Sequence, residues 1–217
     1  LHRKRLPSDP ELAAFKADLA ARATVNPAVI ELIRGLPKEG HPMEWLGAAL
    51  TYLGMTSKTD DYVEDSLNLI ARSGEVIAAI FRVRSGWGDP IASEPQRGLV
   101  ENFVHMLGVP GADNAALKSL LRTFYVLHMD HGGGNLSTFV GKAVASGLAD
   151  VYASMVAAMA GLSGPRHGRA NADCLEFVRS VGSSDPAVIE TFIREQLDSG
   201  GLIFGFGHAV LRAEDPR

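Results

Sequence analysis

The chain has 217 residues, 46% of them hydrophobic and 21% charged, with a formal net charge of -4 at pH 7. That balance suits one globular domain, or one large domain with part of another, and it gives no support to bulk binding of nucleic acid. The one cysteine, Cys174, excludes a disulfide framework within the chain and fits a reducing cytosol or an organelle matrix.

The opening LHRKRLPSDP is basic, but no apolar run follows it, so it does not read as a secretory signal. Ser8 ahead of Asp9-Pro10-Glu11 predicts a helix cap with early acids, and Leu12, Phe15 and Leu19 then recur at helical spacing. Asn26-Pro27 predicts a second helix that ends near Gly35, with proline where its missing N–H is harmless. A third helix is expected over Pro42–Leu53. A longer one starts at Asp60 or Asp61 and ends near Gly86, where the loop Gly86-Trp87-Gly88-Asp89-Pro90 begins. Further helices are expected over Pro95–Leu107, Asn114–Met129, Asn135–Ala149, Val151–Leu162, Gly168–Val181 and Pro186–Leu197. No sustained two-residue alternation appears, so the expected fold is all-α. The mildly apolar tract Leu136–Leu162 carries Lys142, Asp150 and many small residues. It reads as a buried helical hairpin or kinked helix and not as a membrane span. Small residues in SGLADVYASMVAAMAGLSG predict close helix crossings, in the core or between subunits. Gly161-Leu162-Ser163-Gly164-Pro165 is a candidate hinge between two domains.

Three stretches place histidine beside glycine at expected helix boundaries: HMDHGGGN, GPRHGRAN and GFGHAVLRAEDPR. Glycine lets a ligand approach the backbone. A helix N-terminus offers free N–H donors to anions and favours a neutral imidazole. His128 and His131 could share a helical face, but no Cys pair, HExxH or CxxC accompanies them, so no metal is expected. GGGN lacks the lysine and Ser/Thr of a phosphate loop, and GxG in GFGHAV lacks a preceding strand. Cys174 sits in an apolar helical pattern and reads as a packed thiol, while Ser137 and Ser163 have no local base. His2, His41 and His105 read as structural or surface residues. The three motif histidines, with a terminal arginine, suggest a pocket for a small multi-carboxylate held by imidazoles and a guanidinium.

In that order and at similar separations, the three motifs resemble those of citrate synthases, and closest to them is the dimeric branch that includes mitochondrial enzymes. The likeness extends to HPM at His41–Met43 and ENFVHMLG at Glu101–Gly108. The resemblance implies an all-α fold with a large domain, residues 1–165, and the start of a smaller one, residues 166–217. It implies condensation of acetyl-CoA with oxaloacetate to citrate and CoA, with acetyl-CoA as substrate and no cofactor. By motif position, His167 and His208 resemble the catalytic histidines. His131, Asn135 and Arg217 resemble oxaloacetate-binding residues, and Leu202, Ile203 and Gly205 lie in a segment that resembles a CoA-binding loop. The implied state is a homodimer in the cytoplasm, or in the mitochondrial matrix of a eukaryote, with no nucleic-acid or membrane partner. The family's general base is an aspartate well beyond the Asp-Pro-Arg segment, so the chain reads as incomplete and, alone, inactive. Gly132 stands where the family often has an acid, and Phe204 where the related branch often has proline. The alternatives are a 2-methylcitrate synthase using propionyl-CoA, or a citrate-synthase-like piece that only binds or dimerises.

Overall fold

The computed structural model describes residues 5–129, 132–206 and 213. Among them are ten α-helices and no strand. The first three are α1 (Asp9–Arg22), α2 (Pro27–Gly35) and α3 (Pro42–Ser57). The Glu11 carboxylate accepts the Ser8 N–H at 2.8 Å, and the Asn26 side chain accepts the Ala28 N–H at 2.9 Å. His41 is structural: its Nδ1 accepts the Met43 N–H at 3.2 Å while Glu44 accepts the His41 N–H at 2.6 Å, so the two cap α3 reciprocally.

The longest helix, α4 (Tyr62–Ser85), starts where the Asp61 carboxylate accepts the Val63 and Glu64 N–H groups and ends at Gly86, whose φ is 67°. Then come α5 (Leu99–Leu107), α6 (Asn114–His128), α7 (Leu136–Ser146), α8 (Val151–Leu162), α9 (Ala170–Val181) and α10 (Pro186–Asp198). Several starts and ends differ from expectation. α3 runs on past Leu53 to Ser57. α5 begins at Leu99 and not Pro95, because Glu94–Arg97 closes a turn through the Arg97 N–H to Glu94 O bond of 3.0 Å. α7 stops at Ser146, since Leu148 has a φ of 62°, which a right-handed helix cannot contain. α9 begins at Ala170, two residues after Gly168.

The chain divides into two compact units, Leu1–Ala160 and Gly161–Arg217. In the first, α4 packs against α1, α2, α3 and α5. One core joins Val29 and Ile33 of α2, Trp45, Ala49, Leu50 and Leu53 of α3, Leu69, Val76 and Ile80 of α4, and Tyr152 of α8. A second joins Ala78 of α4 with Phe103, Met106 and Leu107 of α5. Each large apolar side chain removed from water here stabilises the unit by about 1.5–3 kcal/mol. Small residues set two crossings. A Cβ on Gly54 of α3 would stand 2.7 Å from Tyr152 Cβ, and one on Gly141 of α7 would stand 3.2 Å from Ala158 Cβ of α8.

α4 also holds the loops, through polar groups that its own helix does not need. Asp65 accepts the Thr59 N–H at 2.8 Å and Glu75 accepts the Val25 N–H at 3.4 Å. Arg72 Nε donates to Arg22 O at 3.1 Å. Arg82 is buried without a carboxylate: Nε donates to Asp89 O at 2.6 Å, Nη1 to Leu107 O at 2.9 Å and Nη2 to Trp87 O at 2.5 Å. One guanidinium therefore satisfies carbonyls at the C-terminus of α5 and in the loop after α4. His105, expected to be structural, pairs with Glu94 at 3.0 Å.

Candidate functional site

The described candidate site residues fall in three short segments, one in the first unit and two in the second. In the first unit, Asn135 directly precedes α7. It does not cap that helix with its side chain, because its Nδ2 donates back to Gly132 O at 2.9 Å, and its backbone N–H reaches the same oxygen at 3.1 Å. The glycine run is thereby folded into a closed turn. A Cβ on Gly133 would stand 3.4 Å from Lys142 Nζ, so this ammonium lies over the run. His128, at the end of α6, is engaged elsewhere: its Nδ1 lies 2.8 Å from Phe124 O and its ring stacks on Phe124 with centroids 4.0 Å apart. No group of three or more His, Cys, Asp or Glu able to hold a metal occurs among the described residues.

In the second unit, His167 occupies a tight turn between α8 and α9. Its N–H donates to Gly164 O at 3.0 Å, and its own carbonyl accepts the Ala170 N–H at 3.2 Å. The Gly168 N–H returns to Leu162 O at 2.9 Å, which locks the turn onto the last residue of α8. Gly168 is required by space and not by φ. A Cβ there would stand 2.6 Å from Leu162 O and 2.7 Å from Leu162 Cγ and Cδ1. Arg169, the cap residue of α9, makes no side-chain cap bond, so the positive end of that helix lies at the turn that carries the half-buried imidazole.

The third segment follows α10. The Phe206 N–H donates to Ile203 O at 3.3 Å, and Gly205 has a φ of 88°. Those features match a type II β-turn with Phe204 second and glycine third, where positive φ is needed. The turn lies on α9: Phe204 meets Phe177 with ring centroids 5.8 Å apart, and a Cβ on Gly205 would stand 3.4 Å from Cys174 Sγ. Cys174 is half-buried beneath this turn, in keeping with a packed thiol. Leu202 and Phe206 project outward, 72% and 80% exposed.

The family model described as "Citrate synthase, C-terminal domain" matches residues 1–217. The chain belongs to the citrate synthase family. It is 36% identical over 232 residues to "Citrate synthase 4, mitochondrial" of Arabidopsis thaliana, covering 98% of this chain and 48% of that protein. It is also 36% identical over 232 residues to "2-methylcitrate synthase, mitochondrial" of Yarrowia lipolytica, covering 98% of this chain and 50% of that one. The solved citrate synthase of Thermoplasma acidophilum, a ternary complex with carboxymethyl coenzyme A and oxaloacetate, aligns with a TM-score of 0.86 and 25% identity. That alignment covers 98% of this chain and 56% of the other. The chain thus spans about half the length of the citrate synthases it matches, and the all-α fold expected from sequence is theirs.

Of the residues expected to serve a citrate synthase site, His167, Asn135, Leu202, Ile203 and Gly205 are described, while His131, His208 and Arg217 lie outside the described residues, as does His2. The structure joins Ile203 and Gly205 in one turn, with Leu202 directly before it, and places His167 just ahead of the helix beneath that turn. Sequence reasoning missed Phe177 of α9 and Phe192 of α10. These meet edge to face at 5.6 Å, and Phe177 carries Phe204. Among the described residues, no helix is long and apolar enough to cross a membrane.

Proposed function

We propose that this chain supplies part of the active site of a citrate synthase, which condenses acetyl-CoA with oxaloacetate and releases citrate and CoA. The observation that carries the reading is the His167 turn, whose shape is fixed by the contact of Gly168 with Leu162 at the start of α9. An imidazole held there donates a hydrogen bond to the thioester oxygen as a base removes a methyl proton and enolate charge grows. His208 polarises the oxaloacetate ketone while the methyl carbon adds to it, and His131, Asn135 and Arg217 hold the carboxylates. Water then cleaves the thioester of citryl-CoA, giving a free CoA thiol, a new carboxylate and one proton released to solvent. No cofactor enters these steps. Residues 1–165 belong to the large domain and 166–217 to the small one, and the enzyme works in the cytoplasm or a mitochondrial matrix.

The functional unit is a homodimer. An apolar cavity of about 290 Å³, lined by Leu46, Leu50, Leu69, Ile77, Val151 and Met155, opens on the α3, α4 and α8 surface and supports this reading. Sedimentation of Ile70→Glu, a change at an exposed position on its lining, should yield monomer; an unchanged dimer would count against this face.

The activity test is thiol release in the enzyme that carries this chain, with acetyl-CoA and propionyl-CoA, with and without oxaloacetate. Oxaloacetate-dependent release with acetyl-CoA preferred is expected, and His167→Ala should lower it by about 10²-fold or more with oxaloacetate affinity little changed. Preference for propionyl-CoA would reassign the substrate. Binding without turnover would make the protein a non-catalytic member of the family.

A further inference from the structure

The second unit contains an apolar device that the chemistry above does not use. Phe192 of α10, Phe177 of α9 and Phe204 of the 203–206 turn form a continuous aromatic ladder, with centroid spacings of 5.6 and 5.8 Å and interplanar angles of 61° and 55°. Such tilted pairs are attractive beyond the area they bury. Cys174 and Phe177 are three residues apart and so share a face of α9. That face carries the turn at two adjacent points, Gly205 over Cys174 and Phe204 over Phe177. The second position of a type II turn suits proline, which presets φ there. Phe204 gives up that local restriction and ties the turn to α9 instead.

We propose that Phe204 is a positioning residue for acyl-CoA, anchoring the 203–206 turn on Phe177, itself packed on Phe192, so that the exposed Leu202 and Phe206 are held ready for the nucleotide. The inference rests on the reading of Leu202, Ile203 and Gly205 as CoA-binding. A preformed loop loses less conformational freedom on binding, so loosening the anchor lowers affinity without altering any group that touches the reacting atoms. Phe204→Ala and Phe177→Ala should both lower CoA affinity, because each breaks the Phe177–Phe204 contact, while Phe177→Ala also removes the contact with Phe192.

The test uses the enzyme that carries this chain and titrates CoA and oxaloacetate separately by calorimetry. Alkylation of Cys174, the one cysteine of the chain, reports whether the turn is seated. Phe204→Ala and Phe177→Ala should each weaken CoA about five- to tenfold. The double variant should be no weaker than either alone. Both should speed alkylation and leave oxaloacetate affinity near wild type; Phe204→Ala should leave the unfolding midpoint little changed while Phe177→Ala lowers it, and Phe204→Tyr should restore CoA affinity. If wild-type protein binds CoA and these variants bind it equally well, the anchor has no such role. An additive double variant, or equal loss for both substrates, would also overturn it. If wild-type protein binds no CoA and CoA does not slow Cys174 alkylation, the CoA reading of this loop fails instead.

Discussion

Gly168→Ala adds one methyl group at the point where the His167 turn closes on α8. On the present backbone that Cβ would stand 2.6 Å from Leu162 O, and ordinary contact begins near 3.4 Å. The turn must therefore open by about 0.8 Å, the amount by which that contact falls short. The Leu162 side chain can rotate away, but its carbonyl cannot, because it accepts the Gly168 N–H at 2.9 Å. Losing that bond costs about 1 kcal/mol, and overpacking adds about 1–3 kcal/mol. Together these lower the unfolding midpoint by roughly 5–12 °C. The larger effect is on rate. His167 is bonded within the same turn, to Gly164 O and Ala170 N–H, and a displacement of about 1 Å at a catalytic group can cost about 10²-fold. Thermal unfolding and oxaloacetate-dependent CoA release, measured on one preparation, separate the two effects. Gly182→Ala is the control, since Gly182 has a φ of 67° with open space around it; it should cost stability but little rate. A Gly168→Ala enzyme with wild-type midpoint and near-normal rate would refute the claim that this contact places His167.

Arg82→Met should destabilise by about 3–5 kcal/mol, because the loop carbonyls lose a charged donor that nothing else replaces, and chemical unfolding should read the loss as an unchanged slope with a lower midpoint. Burial pushes the Glu75 carboxyl above its ordinary value, against the smaller opposing pull of the Val25 N–H and the Ser93 side chain. The folded state then binds that proton more tightly than the unfolded chain, so this group's contribution to stability falls as pH rises from about 4.5 through the raised value. Glu75→Gln keeps a carbonyl acceptor for Val25 and removes the titration, so in urea unfolding it should gain on wild type between pH 4 and pH 7; a variant that loses ground over that range would contradict the sign. Leu148, with a φ of 62° and 94% exposure, should become more stable by up to about 1 kcal/mol as Leu148→Gly, where the same change in a helix would destabilise.

Helix starts were legible wherever the signal is local. Asn26, Asp61, Asp113 and Asp185 each accept an N–H two residues ahead, and a short polar side chain before the first turn announces that bond in the sequence. The start of α5 was not legible, because the Glu94–Arg97 turn that replaces its expected first turn is held by Asn102, whose side chain accepts the Glu94 N–H at 2.9 Å. Periodicity assigned Leu12 and Phe15 to one face of α1 without showing what covers it, and both remain substantially exposed, 38% and 45%. The opposite failure concerns α4. Asp65, Glu75 and Arg82 look like the solvated charges of a surface helix, yet all three are buried, because the loops at both ends of α4, and the segments at Val25 and Leu107, fold over them and bring backbone groups for them to bond.

The candidate site divides in the same way. Glycine beside histidine pointed to places where backbone and ligand come close, and at Gly168 the close approach is real, but the nearest atoms are Leu162's own. The sequence could mark the glycine without distinguishing a ligand's space from a neighbour's. The aromatic ladder was out of reach for another reason. A search for catalytic chemistry looks for groups that carry charge or protons, and Phe177, Phe192 and Phe204 carry neither; their relation exists only once α9 and α10 pack side by side. A loop that binds a ligand through exposed apolar tips must itself be held from below, and the residues that hold it have no reason to resemble those that touch the ligand. On the proposed function, the polar motifs carry the chemistry, and the packing beneath them holds it in place.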